Sequence, residues 1–184
     1  MKILCIGDSN TYGYDPRSFC GSRYPADIRW TERLGNYDVI NSGINGLSIP
    51  NYTGPYTDLV RNQSPDLVIV MLGSNDLLEG ADAETTAARM EMFLAALRQA
   101  GAKIFLIAPP VMQRGEWVQN AKLIGESGKL GALYRDLAER TGVLFADAEE
   151  WHVALTFDGV HFTPAGHAAF AAGLAARLRE LGAE

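Results

Sequence analysis

The sequence predicts an α/β fold of three layers, α/β/α, in which one parallel sheet of five strands lies between two layers of helices. Short apolar segments alternate along the chain with segments of helical periodicity. One apolar segment, residues 67–72 (LVIVML), has no polar position, which is typical of a strand covered on both faces. The chain has 184 residues, 47% of them hydrophobic and 21% charged, so we expect a single globular domain over residues 1–184.

Five segments are predicted to be strands. The first is residues 2–7 (KILCIG), an apolar run that ends at a polar turn. The others, chosen on the same grounds, are residues 37–41, 67–72, 103–108 and 143–146. Because these strands alternate with helices, we expect the flavodoxin-like strand order 2-1-3-4-5.

Helices are predicted between the strands, at residues 26–34, 55–63, 82–100 and within 121–140, with a last helix beginning at Pro164. Asp82 is suited to cap the long helix that follows it, and Gly101 is suited to end it. Thr163 is suited to cap the last helix, with Pro164 in its first position. Two long irregular stretches remain, residues 14–25 and 109–120, and long loops in compact domains are often functional.

The composition argues against several classes of partner. Lys and Arg number 16 against 22 Asp and Glu, a net charge of −6, and no run of basic residues occurs. Nucleic acids and anionic membranes attract clustered basic faces, so we expect neither as a partner. The apolar run before Asp8 is shorter than the core of a signal peptide, and Cys5 and Cys20 are interpreted as free thiols. We therefore expect a cytoplasmic protein, and the sequence leaves a homo-oligomer open.

Polar residues collect where the predicted strands end. Four such segments are Gly7-Asp8-Ser9-Asn10, Asn41-Ser42-Gly43, Gly73-Ser74-Asn75-Asp76 and, after the fifth strand, Asp158-Gly159-Val160-His161. In the order 2-1-3 the first three strand ends are neighbours, and ligands of such sheets bind beyond the carboxyl ends of the strands. One edge of the sheet is therefore predicted to be the functional site.

The residue types at this edge match acyl-transfer chemistry. Ser9 is a weak nucleophile until a base takes its proton, and His161 is the suited base near neutral pH. Asp158 lies three residues before His161, so a single turn can bring its carboxylate to the imidazole. An oxyanion needs donors, and we expect them from the backbone N–H groups of Ser9 and Gly43 and the side-chain amide of Asn75.

These four segments, in this order, resemble the SGNH/GDSL hydrolase superfamily. The stretches ILCIGDSNTYGY, DIRWTERL, DLVIVMLGSND and DGVHFT look most like its arylesterase/acyltransferase branch. The resemblance implies a nucleophile at Ser9, a triad completed by Asp158 and His161, an oxyanion hole lined by Gly43 and Asn75, and no cofactor. Asn10 stands where the namesake motif has Leu, and the sequence alone assigns it no role.

The predicted function is a serine esterase that acts on small carboxylic esters through an acyl-enzyme on Ser9, with acyl transfer to alcohols as a further activity. A carbohydrate O-deacetylase would use the same triad, and a non-catalytic flavodoxin-like binding module is the alternative from another class. We expect short acyl groups to be preferred, because the sequence offers no lid helix. The aromatic residues in or near the loops either border the site or cover the core; they are Tyr12, Tyr14, Phe19, Tyr24 and Trp117.

No metal site is predicted. Acidic residues and His152 follow the fifth strand, but their spacing matches no metal motif, so we interpret this segment as a solvated turn. His152 is interpreted as a loop residue and His167 as a residue of a helix face, both without a catalytic role. Asp8 and Asp76 are interpreted as carboxylates that brace loops through bonds to the backbone.

Overall fold

The computed structural model describes residues 1–18 and 20–182, and its sheet confirms the predicted fold class. The sheet has five strands in the order 2-1-3-4-5, and all of its pairings are parallel. The strands are β1 (Lys2–Gly7), β2 (Asp38–Gly43), β3 (Leu67–Met71), β4 (Ile104–Ala108) and β5 (Leu144–Asp147). In register, Gly7 pairs with Gly43 on one side and Met71 on the other, so three strand ends lie side by side.

The helices of the described chain are α1 (Ser9–Tyr12), α2 (Gly54–Gln63), α3 (Ser74–Leu78), α4 (Ala83–Gln99), α5 (Ala121–Thr141) and α6 (Pro164–Glu180), with a 3-10 turn at Ala148–Trp151. The predicted caps form: the Asp82 side chain accepts from the Thr85 N–H, and the Thr163 side chain accepts from the Gly166 N–H. Two short helices, α1 and α3, were not predicted, because four or five residues carry too little periodicity to be recognised.

The predicted helix at residues 26–34 is wrong. The segment forms successive turns rather than an α-helix. Its conformation depends on distant partners: the Trp30 indole Nε1–H donates to the Asn10 carbonyl at 2.9 Å, and the Thr31 hydroxyl accepts from the Asn41 amide at 2.9 Å. The side chains of Trp30 and Leu34 are buried against the sheet, so tertiary contacts override the helical pattern.

The sheet separates two apolar clusters. Leu4 and Ile6 of β1 face the cluster that contains Phe93 of α4, and Ile3 faces the other cluster with Phe170 of α6. This alternation along one strand is the reason that both faces need a cover of helices. None of the helices in the described part of the chain combines the length and the hydropathy that crossing a bilayer requires.

Candidate active site

Ser9 lies in the first turn after β1. It is the first residue of α1, and the Asp8 carboxylate caps that helix by accepting the Asn10 N–H at 2.9 Å. The helix ends after one turn at Gly13. The strand therefore delivers Ser9 to the carboxyl edge of the sheet, and the cap holds the turn that carries it.

The structure brings Ser9, His161 and Asp158 into one hydrogen-bonded line. His161 Nε2 lies 3.0 Å from Ser9 Oγ, and His161 Nδ1 lies 2.8 Å from Asp158 Oδ2. The second carboxylate oxygen, Asp158 Oδ1, accepts the backbone N–H groups of Val160 and His161 at 2.8 and 3.0 Å. One aspartate thus closes its own turn and orients the imidazole.

The electrostatics keep Asp158 ionised. Burial pushes the pKa of its carboxyl upward, but the hydrogen bonds from the His161 side chain and from the two backbone N–H groups outweigh burial. The net effect is a pKa below the ordinary value for aspartate. A carboxylate in this state accepts the Nδ1 proton of His161, so Nε2 is free to accept a proton from Ser9.

The long loop 109–120 is bound along the Asp158 segment. The backbone N–H groups of Gln113, Glu116 and Trp117 donate to the carbonyls of Gly159, Phe157 and Asp158, at 3.0, 3.1 and 3.1 Å. Gly115 is needed for this approach, because a Cβ there would lie 2.3 Å from the Asp158 carbonyl carbon. This loop therefore packs directly against the segment that carries Asp158 and His161.

Two of the aromatic residues that the sequence left open lie beside His161. The ring centroids of Tyr14 and Trp117 are 4.8 and 4.9 Å from that of His161. Tyr24 is instead buried against His167, and Tyr12 packs under the Arg23 guanidinium. Phe19 lies outside the described residues.

The candidate oxyanion donors lie on the neighbouring strand ends. Gly43 ends β2 directly against α1, where a Cβ would lie 2.1 Å from the Tyr12 nitrogen, so only glycine fits. Its N–H donates to Asn41 Oδ1 at 2.9 Å. Asn75, in the first turn of α3, donates one of its amide N–H groups to the Leu47 carbonyl at 3.1 Å. Of the three predicted donors, Gly43 and Asn75 therefore also bind acceptors of the protein.

Asp8 and Asp76 brace loops through bonds to the backbone, as their positions in the sequence predict. Asp76 is buried, accepts the Ile49 N–H at 2.9 Å and pairs with Arg89 at 2.9 Å, which braces the loop after β2. Burial raises the pKa of the Asp8 carboxyl to about 6, although the Asn10 N–H and the charge of His161 oppose the rise.

The other two histidines do not join the triad. His152 is exposed after the 3-10 turn. His167 is buried on α6, and burial, together with the charges of Arg33 and Arg29, lowers its pKa to about 4, so it stays neutral. Across residues 1–18 and 20–182, no group of three or more His, Cys, Asp or Glu side chains is arranged to hold a metal ion.

The profile of the GDSL-like lipase/acylhydrolase family matches residues 5–169 of the chain. The chain belongs to this family. This match confirms the predicted resemblance.

Relatives and solved structures agree with this family. The chain is 25% identical over 114 residues to an arylesterase of Vibrio mimicus, an alignment that covers 58% of this chain and 53% of the relative. It therefore spans about half the length of that curated relative. The structure of the aryl esterase of M. smegmatis is 26% identical with a TM-score of 0.85, over 98% of this chain and 99% of that one. A carbohydrate acetylesterase family member from Sinorhizobium meliloti is 26% identical with a TM-score of 0.85, over 97% of both chains.

Proposed function

We propose that this chain is a serine esterase of small carboxylic esters and that residues 1–184 act as one catalytic domain. The observation that carries the proposal is the line of Ser9, His161 and Asp158, with contacts of 3.0 and 2.8 Å. Three residues separated by as many as 152 positions meet with the nucleophile, base and carboxylate in the order that acyl transfer requires. The family of the chain supports the same chemistry.

In the proposed acylation step, Ser9 Oγ bonds to the carbonyl carbon of the ester while His161 Nε2 takes the hydroxyl proton. The carbonyl π electrons move to oxygen and form an oxyanion. When the carbonyl re-forms, the bond to the alcohol oxygen breaks, and His161 returns its proton to that oxygen. The products are an alcohol and an acyl ester of Ser9.

Deacylation repeats these steps with water as the nucleophile. Water bonds to the acyl carbon, His161 Nε2 takes one of its protons, and the bond to Ser9 Oγ breaks as the oxygen regains that proton. The products are the carboxylic acid and free Ser9. An alcohol in place of water gives a new ester, which is the acyl transfer that we propose as a further activity.

We propose that three donors hold the oxyanion: the backbone N–H groups of Ser9 and Gly43 and the side-chain amide of Asn75. Gly43 ends β2 and Asn75 lies in α3, the helix that follows β3, and β2 and β3 are the two neighbours of β1, which supports this proposal. Asn75 has two amide N–H groups and donates one of them to the Leu47 carbonyl, so the other is available to substrate. Gly43 has one N–H, so an oxyanion would share it with Asn41 Oδ1 or replace that acceptor.

A carbohydrate O-deacetylase is the second candidate, and one feature favours it. Trp117 is 52% exposed beside His161, and an exposed indole suits the apolar face of a sugar ring. One solved relative is described as a carbohydrate acetylesterase family member. A non-catalytic binding module is disfavoured, because binding alone requires no hydrogen bond between a serine and a carboxylate-bound histidine.

We further propose that the protein acts in the cytoplasm on a small ester, without a nucleic acid, membrane or cofactor. Cys5 and Cys20 are free, and burial, followed by the charge of Glu32, raises the pKa of the Cys5 thiol, which keeps it unreactive. The net charge of −6 disfavours polyanionic partners.

The test compares wild type with Ser9→Ala on p-nitrophenyl acetate, phenyl acetate and acetylated xylose. Loss of the nucleophile should lower kcat by roughly 10³–10⁶-fold. The control is Ser64→Gly, which replaces the serine at the C-terminal end of α2. Its φ of +45° suits glycine, and the variant should keep wild-type turnover. A serine-directed organophosphonate should modify Ser9 alone, as read by mass spectrometry of the peptides. Full turnover by folded Ser9→Ala would overturn the proposal, and the substrate with the highest kcat/KM separates the two candidates.

A further inference from the structure

Asn10, the residue after Ser9, uses all four of its polar groups although its side chain and backbone are only 4% exposed. Its N–H donates to Asp8 Oδ1 at 2.9 Å, and its carbonyl accepts the Trp30 indole N–H at 2.9 Å. Its side chain reaches across the site: Nδ2 donates to the Val160 carbonyl at 3.1 Å, and Oδ1 accepts the Phe162 N–H at 2.9 Å.

These two side-chain bonds fall on the residues immediately before and after His161. One amide thus pairs with the backbone on both sides of the histidine, as a peptide group of a neighbouring strand would. The backbone of His161 itself is held as well, because its N–H donates to Asp158 Oδ1 at 3.0 Å and its carbonyl accepts the Thr156 N–H at 2.7 Å. Rotation of the backbone at His161 would break several bonds at once.

The position of Asn10 in α1 links these two side-chain bonds, which we call the clamp, to the nucleophile. Ser9 and Asn10 are consecutive residues of one short helix, so the nucleophile and the clamp move together. Within the described residues, the hydrogen bonds that join α1 to residues 158–163 are the Ser9–His161 contact and the two bonds of the Asn10 side chain. The Asn10 amide is therefore the direct brace across the gap over which the proton moves.

We propose that Asn10 is a positioning residue, which sets the distance between Ser9 Oγ and His161 Nε2 by clamping the backbone on both sides of His161. This inference rests on the proposed function. Leucine, which the namesake motif has here, shares the branched shape of asparagine but forms neither bond. A chain with asparagine at this position would therefore depend on the clamp for the alignment of its base.

The test measures kcat, KM and Tm for Asn10→Leu and Asn10→Asp, each in the wild-type and in the His161→Ala background. Asn10→Leu keeps the shape and removes both bonds, whereas Asn10→Asp keeps the acceptor for Phe162 and loses the donor to Val160. Thr141→Val is the matched control: it removes a side-chain bond to the Leu137 carbonyl at the end of α5, near the opposite edge of the sheet. Phenyl acetate serves as substrate in every assay.

We expect Asn10→Leu to lower kcat by about 10–100-fold with KM changed less than threefold, because a misplaced base slows proton transfer without loosening substrate. Asn10→Asp should also lower kcat, and Thr141→Val should not. In the His161→Ala background, Asn10→Leu should change the residual rate less than about twofold, since a residue that acts through His161 has nothing left to position.

Several results would overturn the inference. Unchanged kcat in folded Asn10→Leu would show that the clamp does not align the base. An equal loss in both backgrounds, or failure of both Asn10 variants to fold while His161→Ala folds, would show a structural role only. Absence of esterase activity in wild type contradicts the proposed function and removes this inference with it, whereas an active wild type with an equally active Asn10→Leu contradicts the inference alone.

Discussion

The two sides of the candidate site are built differently. On the base side, residues 158–161, the side chains of Asp158 and His161 bond to each other and to Ser9, and the second carboxylate oxygen of Asp158 accepts backbone N–H groups of the same turn. On the oxyanion side, the N–H groups of Gly43 and Asn75 donate to other parts of the protein, Asn41 Oδ1 and the Leu47 carbonyl. The side-chain hydrogen bonds of the base side serve the proposed reaction, whereas the donors of the oxyanion side also bind groups that hold the fold together.

The difference follows from the chemistry of the two groups. A carboxylate and an imidazole are each other's best partners, so burying them together satisfies both and fixes the catalytic geometry. A donor meant for an oxyanion has no such permanent partner, and leaving it unpaired costs about 1–3 kcal/mol. Acceptors such as Asn41 Oδ1 avoid this cost but compete with the substrate. We therefore expect larger effects from mutations on the base side.

Of the substitutions that compare the two sides, Asp158→Asn has the largest predicted effect. An asparagine no longer holds His161 in the tautomer that leaves Nε2 unprotonated, so kcat should fall about 10⁴-fold. Because the pKa of Asp158 lies below its ordinary value, its carboxylate stays ionised from pH 4 to 9, so the loss in the variant should appear at every pH in this range. Steady-state kinetics of both enzymes across this range measures the loss. A variant as fast as wild type would contradict the base side as described.

A smaller effect is predicted for Asn75→Ala on the oxyanion side. One lost donor should lower kcat about 10²–10³-fold with little change in KM, because the amide matters most when the carbonyl oxygen becomes charged. Steady-state kinetics on phenyl acetate measures both constants, and Asn36→Ala, at an exposed position before β2, is the control. A change confined to KM would mean that Asn75 binds the substrate in its ground state.

The rim of the site predicts a modest preference for short acyl chains, acetyl to butyryl. Ile44, Trp117 and Phe157 are each about half exposed, at 51, 52 and 51%, so the described loops around the triad do not enclose a long chain. Each buried methylene contributes about 0.8 kcal/mol, roughly fourfold in kcat/KM, and carbons that stay in water contribute little. Assays of p-nitrophenyl acetate, butyrate, octanoate and palmitate decide this point. A maximum at octanoate or longer would require an enclosed acyl tunnel.

Asp8 lies directly after β1 and caps α1, and its substitution should affect stability more than rate. Its pKa rises from the ordinary 3.8 to about 6, so the folded protein holds a proton there that the unfolded chain has lost between pH 4 and 6. Stability therefore falls as pH rises through this window, by about 3 kcal/mol in total. Asp8→Asn keeps an oxygen to cap Asn10, so its Tm should exceed that of wild type by several degrees at pH 7.5 and by little at pH 4.

Thermal unfolding at pH 4, 5, 6 and 7.5 checks the Asp8 prediction, with the exposed Asp38→Asn as control. A Tm difference that does not depend on pH would show that Asp8 is not destabilised by its charge. The base side should remain intact in this variant, because the hydrogen bond of the Asp8 side chain goes to the Asn10 N–H and not to Ser9, His161 or Asp158.

Local pattern was sufficient for most of the fold. The apolar run of β3 and the cap residues Asp82 and Thr163 specify their elements within a few positions, so the sequence predicted them within one or two residues. The pairing of Asp158 with His161 could also be predicted from the sequence, because a separation of three residues lets one turn join them. The donor roles of Gly43 and Asn75, which their strand-end positions and the family resemblance both indicate, remain proposals.

The sequence by itself determined the order of strands and helices, the residues at the carboxyl edge and the class of chemistry that we propose, because the period of hydrophobic residues, capping and short spacings act over a few residues. Only the tertiary structure decided that residues 26–34 are not a helix, that Trp117 lies beside His161, and that Asn10 clamps a backbone 150 positions away. These outcomes depend on which segments meet in space, and a side chain that can donate and accept in many directions carries no local sign of the partner it will bind.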